Sequence, residues 1–408
     1  MNVLHIANSY GGTEVYTELF SALDRTGCRQ RVFIPLNARN HDRLGRKLID
    51  FVTPGSALHY STCLKRWHRY WYGAKIATTV GAVEKWLAGG RPDIIHAHTA
   101  FFDGAVAREL SKRLGVPYVV AVRNTDVDAY YAKLWWNRKY FLGILRGAER
   151  IIFISPKYRE NFLSKKVPGK WGEELGAKAV VIPNGIRDIY LANRHRHAPA
   201  PGKPATVVYA GGFFERKGLR ETIQACDSLR ADGLDLRVVA IGRGLPFRPK
   251  DAAYAAEMEE MATARPWVVL KDHMDAGGLM EEYRAGDIFA MPSARETFGL
   301  VYVEALSQGL PVVYAKDEGF DQYLPDGEIG RAARAKDAGE IALAIRTLLS
   351  DYAGCAARVG VLDLERDFSW KAIAEKYVLL YARAVSKDNG CRPWNQPSTN
   401  GCKKRTGK

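Results

Sequence analysis

The stretch SARETFGLVYVEALSQGLPVV, residues 293–313, carries the strongest local signal for the fold. Its first residues are polar and include glycine, which predicts a loop, whereas VYVEALSQG predicts a helix and the following PVVYA a buried strand. The apolar run IFAMPS just before it predicts another strand. A strand, a loop, a helix and a strand in succession form the repeating unit of an α/β fold with a parallel sheet.

Two glutamates lie eight positions apart in this stretch, Glu296 in the predicted loop and Glu304 at the start of the predicted helix. In one continuous helix this spacing is just over two turns, which would place both carboxylates on nearly the same face. Divided between a loop and a helix, they can instead contact two parts of one ligand. Both residues are also compatible with solvated surface charges, and the other motifs of the sequence are needed to choose between these alternatives.

The same alternation of apolar strands and helices covers two separate regions of the chain. Residues 188–204 interrupt it with prolines and a basic run, which predicts an interdomain linker. We therefore predict an α/β protein with two doubly wound, Rossmann-like domains, 1–187 and 205–368, that face each other across a cleft. We also predict a C-terminal helix at 369–386 that packs back on the N-terminal domain, and a basic disordered tail at 387–408.

The positive charge of the chain is concentrated in three segments. The formal net charge is +15, of which residues 61–86 and 130–146 carry +4 each and the predicted tail carries +5. This concentration indicates an anionic partner: a phosphate-rich substrate, nucleic acid or an acidic membrane surface. The first two segments interleave cations with tryptophan and tyrosine, which suits a lipid interface, stacking on sugars or bases, or amphipathic helices packed on a core.

Three features of the sequence indicate a cytoplasmic protein. No apolar run reaches the length of about 18 residues that a membrane-spanning helix requires. The N-terminus, MNVLHIANSYGG, lacks the basic region and the cleavage site of a signal peptide. The cysteines are scattered, as free thiols in a reducing compartment would be: Cys28, Cys63, Cys226, Cys355, Cys391 and Cys402. We expect a cytoplasmic location, with peripheral attachment to the inner face of the cytoplasmic membrane as a hypothesis.

Glycines and histidines follow two predicted strands of the N-terminal domain. Gly11 and Gly12 lie where the first strand turns into the first helix, either as a plain tight turn or where a donor phosphate approaches the backbone. His96 and His98 alternate along DIIHAH and therefore face the same side of a strand. They are candidate zinc ligands, core histidines or substrate contacts. Because no acidic or cysteine partner stands at metal spacing, we favour a substrate contact for His98.

Polar residues follow two further strands of this domain. Arg123 and Asn124 come after YVVAV and, with Asp126, are candidate contacts for an acceptor substrate, while Asn184 at the end of AVVIPN is a candidate donor contact. Asp126 and Asp128 have the spacing by which some transferases hold Mn²⁺. Any short acidic triplet matches that spacing, so we predict no metal site.

The C-terminal domain places cations after its strands. Arg216 and Lys217 in GGFFERKG form either a solvated turn or a cationic site for a leaving nucleotide diphosphate, on which negative charge grows. Arg243 lies in the turn GRG, which lacks the third glycine of a dinucleotide-binding motif because Phe247 stands there, so a nicotinamide enzyme is not favoured. Since all these motifs follow predicted strands, we expect one shared site between the domains.

The spacing E-x7-E in PSARETFGLVYVEALSQGLPVV resembles the signature of the retaining GT-B glycosyltransferases of family 4. The order of GGTEVY, DIIHAH, FISPKYRENF, VIPNGI, GGFFERKG, IGRG and DGEIG along the chain is similar as well. The resemblance covers roughly residues 1–385. It implies the GT-B fold, a retaining transfer without metal or cofactor, and a nucleotide-sugar donor, with UDP as the default nucleotide.

The resemblance also implies roles for individual residues. Glu304 would hold the ribose hydroxyls, Glu296 would lie beside the donor sugar, and His98 would contact that sugar. Lys217 would bind the diphosphate. The backbone amides implied near the sugar and diphosphate are those of Phe298, Gly299 and Leu300. Similar sequences carry Gly-Arg where this chain has Gly211-Gly212, and the implied replacements for this arginine are Arg216 and Arg243.

We expect the acceptor to be a glycan or lipid-linked glycan used in cell-surface polysaccharide synthesis, with no nucleic-acid partner. An anionic membrane surface would contact 61–86, 130–146 and the tail. The competing hypotheses are a nucleotide-sugar epimerase or phosphorylase of the same fold, a non-catalytic two-domain ligand-binding protein, and a nucleic-acid binder suggested by the basic composition.

Overall fold

The computed structural model describes residues 1–196, 204–244, 249–324 and 326–386. The predicted tail at 387–408, part of the predicted linker, Phe247, Cys391 and Cys402 lie outside these residues. Within them, no helix combines the length and the apolar composition that crossing a bilayer requires.

The N-terminal domain is built on a seven-stranded, fully parallel sheet in the order β3-β2-β1-β4-β5-β6-β7. Three of its strands, β4, β5 and β7, are buried along their whole length, as expected for a parallel sheet covered on both faces. The strands are β1 Asn2–Ile6, β2 Arg29–Pro35, β3 Ala57–Ser61, β4 Ile94–Ala97, β5 Tyr118–Ala121, β6 Arg150–Phe153 and β7 Ala179–Val181.

Helices cover both faces of this sheet. They are α1 Val15–Arg25, α2 Tyr72–Leu87, α3 Phe102–Leu114, α4 Arg138–Gly147, α5 Pro156–Lys165 and α6 Gly169–Lys178. The next helix, α7 Asp188–Ala192, lies in the connection between the domains and contacts the C-terminal domain. Short 3₁₀ turns at Tyr10–Gly12, Ala38–Arg43, Arg66–Arg69 and Trp135–Asn137, and a π-helical turn at Thr125–Tyr131, lie between them.

The C-terminal domain repeats the arrangement around a six-stranded parallel sheet in the order β10-β9-β8-β11-β12-β13. Its strands are β8 Ala205–Ala210, β9 Leu236–Arg243, β10 Val268–Asp272, β11 Ile288–Ala290, β12 Val312–Ala315 and β13 Gly330–Ala333. Its helices are α8 Leu219–Ala231, α9 Pro249–Thr263, α10 Ala276–Arg284, α11 Leu300–Ser307, α12 Ala338–Ser350, α13 Tyr352–Gly360 and α14 Leu364–Phe368. A 3₁₀ turn at Glu215–Lys217 follows β8.

The last helix, α15 (Trp370–Val385), returns to the N-terminal domain. It packs against α1 and buries Trp370, Ile373, Tyr377 and Tyr381 in the core on that face of the N-terminal sheet. The second part of the chain thereby contributes to the core of the first part.

In both sheets the strand order reverses beside the first strand of the domain, between β1 and β4 and between β8 and β11. The carboxyl ends of adjacent strands diverge at such a point, and this opens a crevice in which α/β proteins bind ligands. The two crevices identify the edge of each sheet where the predicted motifs lie.

Three details differ from the sequence prediction. The edge strands β3 and β13 were not predicted, because ALHYS and GRAA are short, partly exposed and lack a clear apolar run. Part of the predicted linker, Asp188–Ala192, is helical, and its Tyr190 is buried in the C-terminal core. The helix predicted around Glu304 begins at Leu300, so Glu304 lies in its second turn and not at its start.

Candidate functional site

The two domains contact each other at the edges where the predicted motifs lie. The Asn124 amide donates to the Arg295 carbonyl at 3.0 Å, and the Asn161 amide donates to the Asp317 carbonyl at 2.8 Å. Lys157 forms an ion pair with Asp317 at 2.9 Å. The cleft is therefore bridged by direct hydrogen bonds and an ion pair.

Two neighbouring cavities open in this cleft. The N-terminal cavity, of about 420 Å³, is formed mainly by the N-terminal domain, with Thr297 contributed from across the cleft. It brings together the predicted residues Gly12, Arg123, Asn124, Asp126 and Asn184. The interdomain cavity, of about 660 Å³, is lined by Arg216 and Glu296 and shares Asn124 and Thr297 with the first.

An ion pair joins two residues that the sequence placed in separate motifs. The Lys217 ammonium lies 2.6 Å from a Glu296 carboxylate oxygen, and each side chain is 16% exposed. Burial alone would raise the pKa of Glu296, but the charges of Lys217 and Arg216 and hydrogen bonds from Lys217 and Ser293 outweigh burial and hold that pKa below its usual value. The lining of the interdomain cavity thus includes an ionised carboxylate, Glu296, that is paired with a cation, Lys217.

The loops that carry this pair are fixed to each other. The Ala294 amide donates to the Arg216 carbonyl at 2.8 Å. Gly218, after Lys217, has a φ of +78°, and a Cβ there would come within 2.7 Å of the Pro292 carbonyl oxygen. Only glycine permits both the left-handed backbone and this close approach, so the position of Lys217 depends on it.

The loop after Glu296 leads directly into helix α11. Gly299 has a φ of +85°, and Arg295 has a φ of 61°, a conformation that costs energy for a residue with a side chain. The Phe298 side chain is 2% exposed and packs on Phe320 and Tyr323. Phe298 therefore anchors the loop, and its side chain does not face the cleft.

Glu304 lies in a buried hydrogen-bonded group. Glu304 is 8% exposed, and burial raises the pKa of its carboxyl to about 7. The Arg187 charge and a hydrogen bond from the Tyr190 phenol act in the opposite direction and lower that pKa. An Arg187 nitrogen donates to the Tyr190 hydroxyl at 3.4 Å. Tyr190 was not predicted as a site residue, since one tyrosine in a predicted linker carries no signal without the tertiary contact.

A neighbouring aromatic ring fills the space beside Gly212. A Cβ on Gly212 would lie 2.6 Å from the Phe214 ring, so this ring occupies the space that a side chain at 212 would need. Arg243 is engaged by Asp272 at 2.6 Å and by Glu259 at 3.5 Å. Arg216, in contrast, lies over the Phe214 ring and lines the interdomain cavity.

The histidines form a cluster that the sequence did not predict in full. His5 on β1 is paired in register with His96 on β4, and its Nδ1 lies 3.0 Å from His98 Nε2, while His96 Nδ1 lies 2.7 Å from the Tyr381 hydroxyl. The three residues are fully buried, which lowers their pKa values and keeps the imidazoles neutral. His98 lies among Tyr16 and Phe20, so the predicted sugar contact requires its ring to become accessible.

The nitrogens of this cluster are close enough together for a metal ion. Three of the ring nitrogens are already engaged, His5 Nδ1 with His98 Nε2 and His96 Nδ1 with the Tyr381 hydroxyl. The other three, His5 Nε2, His96 Nε2 and His98 Nδ1, have no hydrogen-bond partner among the described residues. The sequence pattern around His96 and His98 could not reveal His5 as the third histidine of the cluster, because His5 is distant in sequence and reaches the cluster only through strand pairing.

Asp126 is a structural anchor for the strand ends. Its carboxylate accepts hydrogen bonds at 2.9 Å from the backbone amides of Ala100, Phe101 and Arg123. The residue is 1% exposed, and burial raises its pKa to about 6, with the three amides acting in the opposite direction. Although Asp126 borders the N-terminal cavity, its oxygens already accept from the backbone before α3 and after β5.

The glycines at the first turn have different surroundings. A Cβ on Gly11 would lie 3.2 Å from the Arg43 side chain, and Gly12 lines the N-terminal cavity. The neighbouring Asn8 side-chain amide donates to the buried carboxylate of Asp103 at 2.7 Å, a pair that was not predicted from the sequence. Gly12 is thus the glycine of this turn that borders the cleft.

Two family models match the chain. One described as Glycosyl transferase 4-like domain matches residues 11–185, and one described as Glycosyl transferases group 1 matches residues 192–360. A phosphatidyl-myo-inositol mannosyltransferase of Mycobacterium leprae is 25% identical over 73% of this chain and 75% of its own length. The sulfoquinovosyl transferase SQD2 of Arabidopsis thaliana is 27% identical over 71% of this chain and 56% of its own length.

Solved structures show the same architecture. Sucrose-phosphate synthase from Thermosynechococcus elongatus superposes with a TM-score of 0.71 at 19% identity and covers 95% of this chain and 100% of its own. HepE from Anabaena, solved with UDP and glucose, superposes with a TM-score of 0.65 at 18% identity and covers 94% of this chain and 99% of its own. The two matched models together span both domains, so the chain belongs to the group 1 glycosyltransferases and has the GT-B fold.

Proposed function

We propose that this glycosyltransferase moves a sugar, with retention of configuration, from a UDP-sugar to a glycan or lipid-linked glycan acceptor in cell-surface polysaccharide synthesis. The observation that supports it most directly is the Lys217–Glu296 pair at 2.6 Å, which lies with Arg216 beside the cavity between the domains. A donor diphosphate would replace the carboxylate as the partner of Lys217. Glu296 would then be free to bind a hydroxyl of the donor sugar.

The proposed reaction uses the charges of this site. As the bond to the diphosphate breaks, negative charge grows on the leaving oxygen, and the sugar passes through a cationic, oxocarbenium-like state. Lys217 and Arg216 stabilise the leaving charge, so the proposal requires no metal ion or cofactor. The acceptor hydroxyl attacks from the face that the diphosphate leaves, and a phosphate oxygen takes its proton, which retains the configuration.

Glu296 is assigned a positioning role and not that of a covalent nucleophile. Its carboxylate is ion-paired and has a lowered pKa, so its charge is stabilised by a cation of the site itself. Glu304, with Tyr190, is assigned to the ribose of the nucleotide. The UDP donor is supported by the structure of HepE in complex with UDP and glucose, and a lipid-linked acceptor by the mycobacterial phosphatidyl-myo-inositol mannosyltransferase.

The test is a transfer assay that also detects the products of the competing reactions. The purified chain is incubated with UDP-, GDP- and ADP-sugars, each with and without a panel of glycan and lipid-linked acceptors. We expect acceptor-dependent release of one nucleotide diphosphate and a product with the anomeric configuration of the donor, as measured by NMR. An isomerised donor without any acceptor would support the epimerase instead, and an inverted product would refute retention.

We also propose that the chain attaches to an anionic membrane surface through an exposed aromatic and basic face. The segments 61–86 and 130–146 meet through the Tyr72 and Tyr140 rings, whose centroids are 6.1 Å apart. Trp71 is 68% exposed, and Trp135 is 70% exposed. Large exposed aromatics beside cations favour the interface between headgroups and acyl chains.

The prediction for this face is binding to vesicles of phosphatidylglycerol at low salt, with release at high salt as the charges are screened. The double variant Trp135→Ala/Trp136→Ala should bind about tenfold more weakly, because two apolar anchors are lost. Leu343→Ala, which removes a side chain that is 64% exposed on the C-terminal domain, serves as the control. Equal sedimentation of all three proteins, or equal binding to neutral vesicles, contradicts the proposal.

A further inference from the structure

The N-terminal cavity contains two cations that the donor site does not use. Lys75 on α2 and Arg123 after β5 both line it. The Lys75 ammonium lies 3.6 Å from the centroid of the Phe102 ring, and Arg123 donates to the His98 carbonyl at 3.4 Å and lies 5.9 Å from the Tyr16 ring. Across the part of the chain that the structure describes, neither side chain forms an ion pair with a carboxylate.

Among the described residues, the one carboxylate in the lining of this cavity, Asp126, forms no ion pair with either cation. It accepts from three backbone amides at 2.9 Å, one of which belongs to Arg123 itself, and the Arg123 charge contributes to lowering its pKa. The pKa of Lys75 is lowered by burial, with the charge of Asp103 acting in the opposite direction, which shows that the surroundings of Lys75 do not fully stabilise its charge. A partly buried, unpaired cation in a cavity is favourably placed to bind an anion.

The two cations of this cavity are distinct from those assigned to the donor diphosphate, although Gly12 and Asn184, predicted as donor contacts, also line it. The cations assigned to the diphosphate, Lys217 and Arg216, lie on the C-terminal side, and Arg216 lines the interdomain cavity. The N-terminal cavity receives one described residue from the C-terminal domain, Thr297. A substrate in the N-terminal cavity would therefore reach the transfer site from the acceptor side.

We propose that Lys75 and Arg123 form an anion subsite that recognises a phosphate or carboxylate group on the acceptor, so that the acceptor is an acidic glycan or a phosphorylated lipid-linked one. The identification of the bound molecule as the acceptor rests on the proposed function, whereas the subsite itself is defined by the residues of the cavity. A phosphate and a carboxylate both offer oxyanions that accept hydrogen bonds from cations, and small probe molecules that carry one or the other distinguish them.

The experiment measures stabilisation of the full chain against heat by matched probes: glucose, glucose 6-phosphate and glucuronic acid. Each is titrated with and without saturating UDP, which occupies the donor site. We expect one or both acidic probes, but not glucose, to raise the melting temperature, also when UDP is present. Stabilisation by glucose 6-phosphate alone assigns a phosphate, and stabilisation by glucuronic acid alone assigns a carboxylate.

Variants locate the site. Lys75→Met should weaken the binding of the acidic probe by at least about tenfold, the usual effect of losing one charged hydrogen bond. Lys75→Arg should largely retain binding, which distinguishes recognition of charge from a packing role. Lys112→Met serves as a control, because that lysine lies on α3 and its side chain is 62% exposed.

The outcomes separate this inference from the proposed function. If no acidic probe stabilises the wild type more than glucose does, or if Lys75→Met binds as well as the wild type, the subsite is refuted, while stabilisation by UDP still supports the donor site. If UDP fails to stabilise the protein but the acidic probes depend on Lys75, the subsite stands and the proposed donor does not. Loss of probe binding in Lys217→Met but not in Lys75→Met would place the anion in the donor site and overturn the inference.

Discussion

Replacement of Lys217 by methionine is expected to lower sugar transfer by about a hundred- to a thousandfold. The ammonium lies 2.6 Å from Glu296 in a site where each side chain is 16% exposed, so water screens its charge poorly. Methionine has a similar length and no charge, and therefore removes the electrostatic contribution while keeping much of the packing. Because the leaving diphosphate gains charge in the transition state, the loss should appear mainly in kcat.

The same substitution leaves the Glu296 carboxylate mostly buried without its cation, which is expected to destabilise the domain. The double variant Lys217→Met/Glu296→Gln removes both charges and should recover stability without recovering transfer. Lys271→Met is the matched control, because Lys271 also forms an ion pair with a glutamate, Glu282, in the same domain. Activity is measured as acceptor-dependent release of UDP, and stability as the melting temperature.

Two results would refute the role of Lys217. One is transfer at the wild-type rate by Lys217→Met. The other is equal loss of transfer in Lys271→Met, which would indicate a general effect of breaking an ion pair. Recovery of transfer together with stability in the double variant would assign the ion pair to folding and not to catalysis.

The motif order and the alternation of strands and helices were sufficient to predict the architecture. Apolar runs such as DIIHAH and YVVAV are buried on both faces, and a parallel sheet with helical connections follows from that pattern. The edge strands β3 and β13 escaped prediction because an edge strand is less buried and its pattern is weaker. The position of each motif at the carboxyl end of a strand was predicted from the same alternation, because parallel strands place those ends at one edge of the sheet.

The roles of single side chains were less accessible from sequence. Asp126 was predicted as an acceptor contact, but its oxygens anchor three backbone amides, a function that depends on where the Ala100 and Phe101 amides point. His5 has no motif around it and joins His96 only through the pairing of β1 with β4. Gly212 was recognised as a departure from similar sequences, but the Phe214 ring that fills the space beside it is visible only in the structure.

Glu304→Gln is expected to make the protein more stable at pH 8 while weakening its donor affinity. Burial raises the pKa of the Glu304 carboxyl from 4.5 to about 7. Between these values the folded state binds a proton that the unfolded state has released. The contribution of this group to stability is therefore complete below about pH 4.5 and is lost as the pH rises through about 7.

Glutamine mimics the protonated form and should remove this loss. Relative to the wild type, the variant should have a similar free energy of unfolding at pH 5 and a higher one at pH 8, by up to about 3 kcal/mol for a shift of this size. Urea unfolding at both pH values measures the difference. Glu281→Gln, at an exposed position of α10, serves as the control for replacing a glutamate by glutamine.

Donor binding should change in the opposite direction. The ionised carboxylate is proposed to accept hydrogen bonds from the ribose, and a charged hydrogen bond contributes more than a neutral one. The affinity of the wild type for UDP should therefore increase between pH 6 and pH 8 as Glu304 loses its proton, whereas Glu304→Gln should bind about tenfold more weakly at pH 8 with a flatter pH dependence. Calorimetric titration with UDP at each pH measures both quantities.

Two results would contradict these predictions. If Glu304→Gln binds UDP as tightly as the wild type at pH 8, the ribose assignment is refuted. If Glu304→Gln is no more stable than the wild type at pH 8, the raised pKa of the Glu304 carboxyl is refuted. The two conclusions can fail separately, because stability is measured without a ligand.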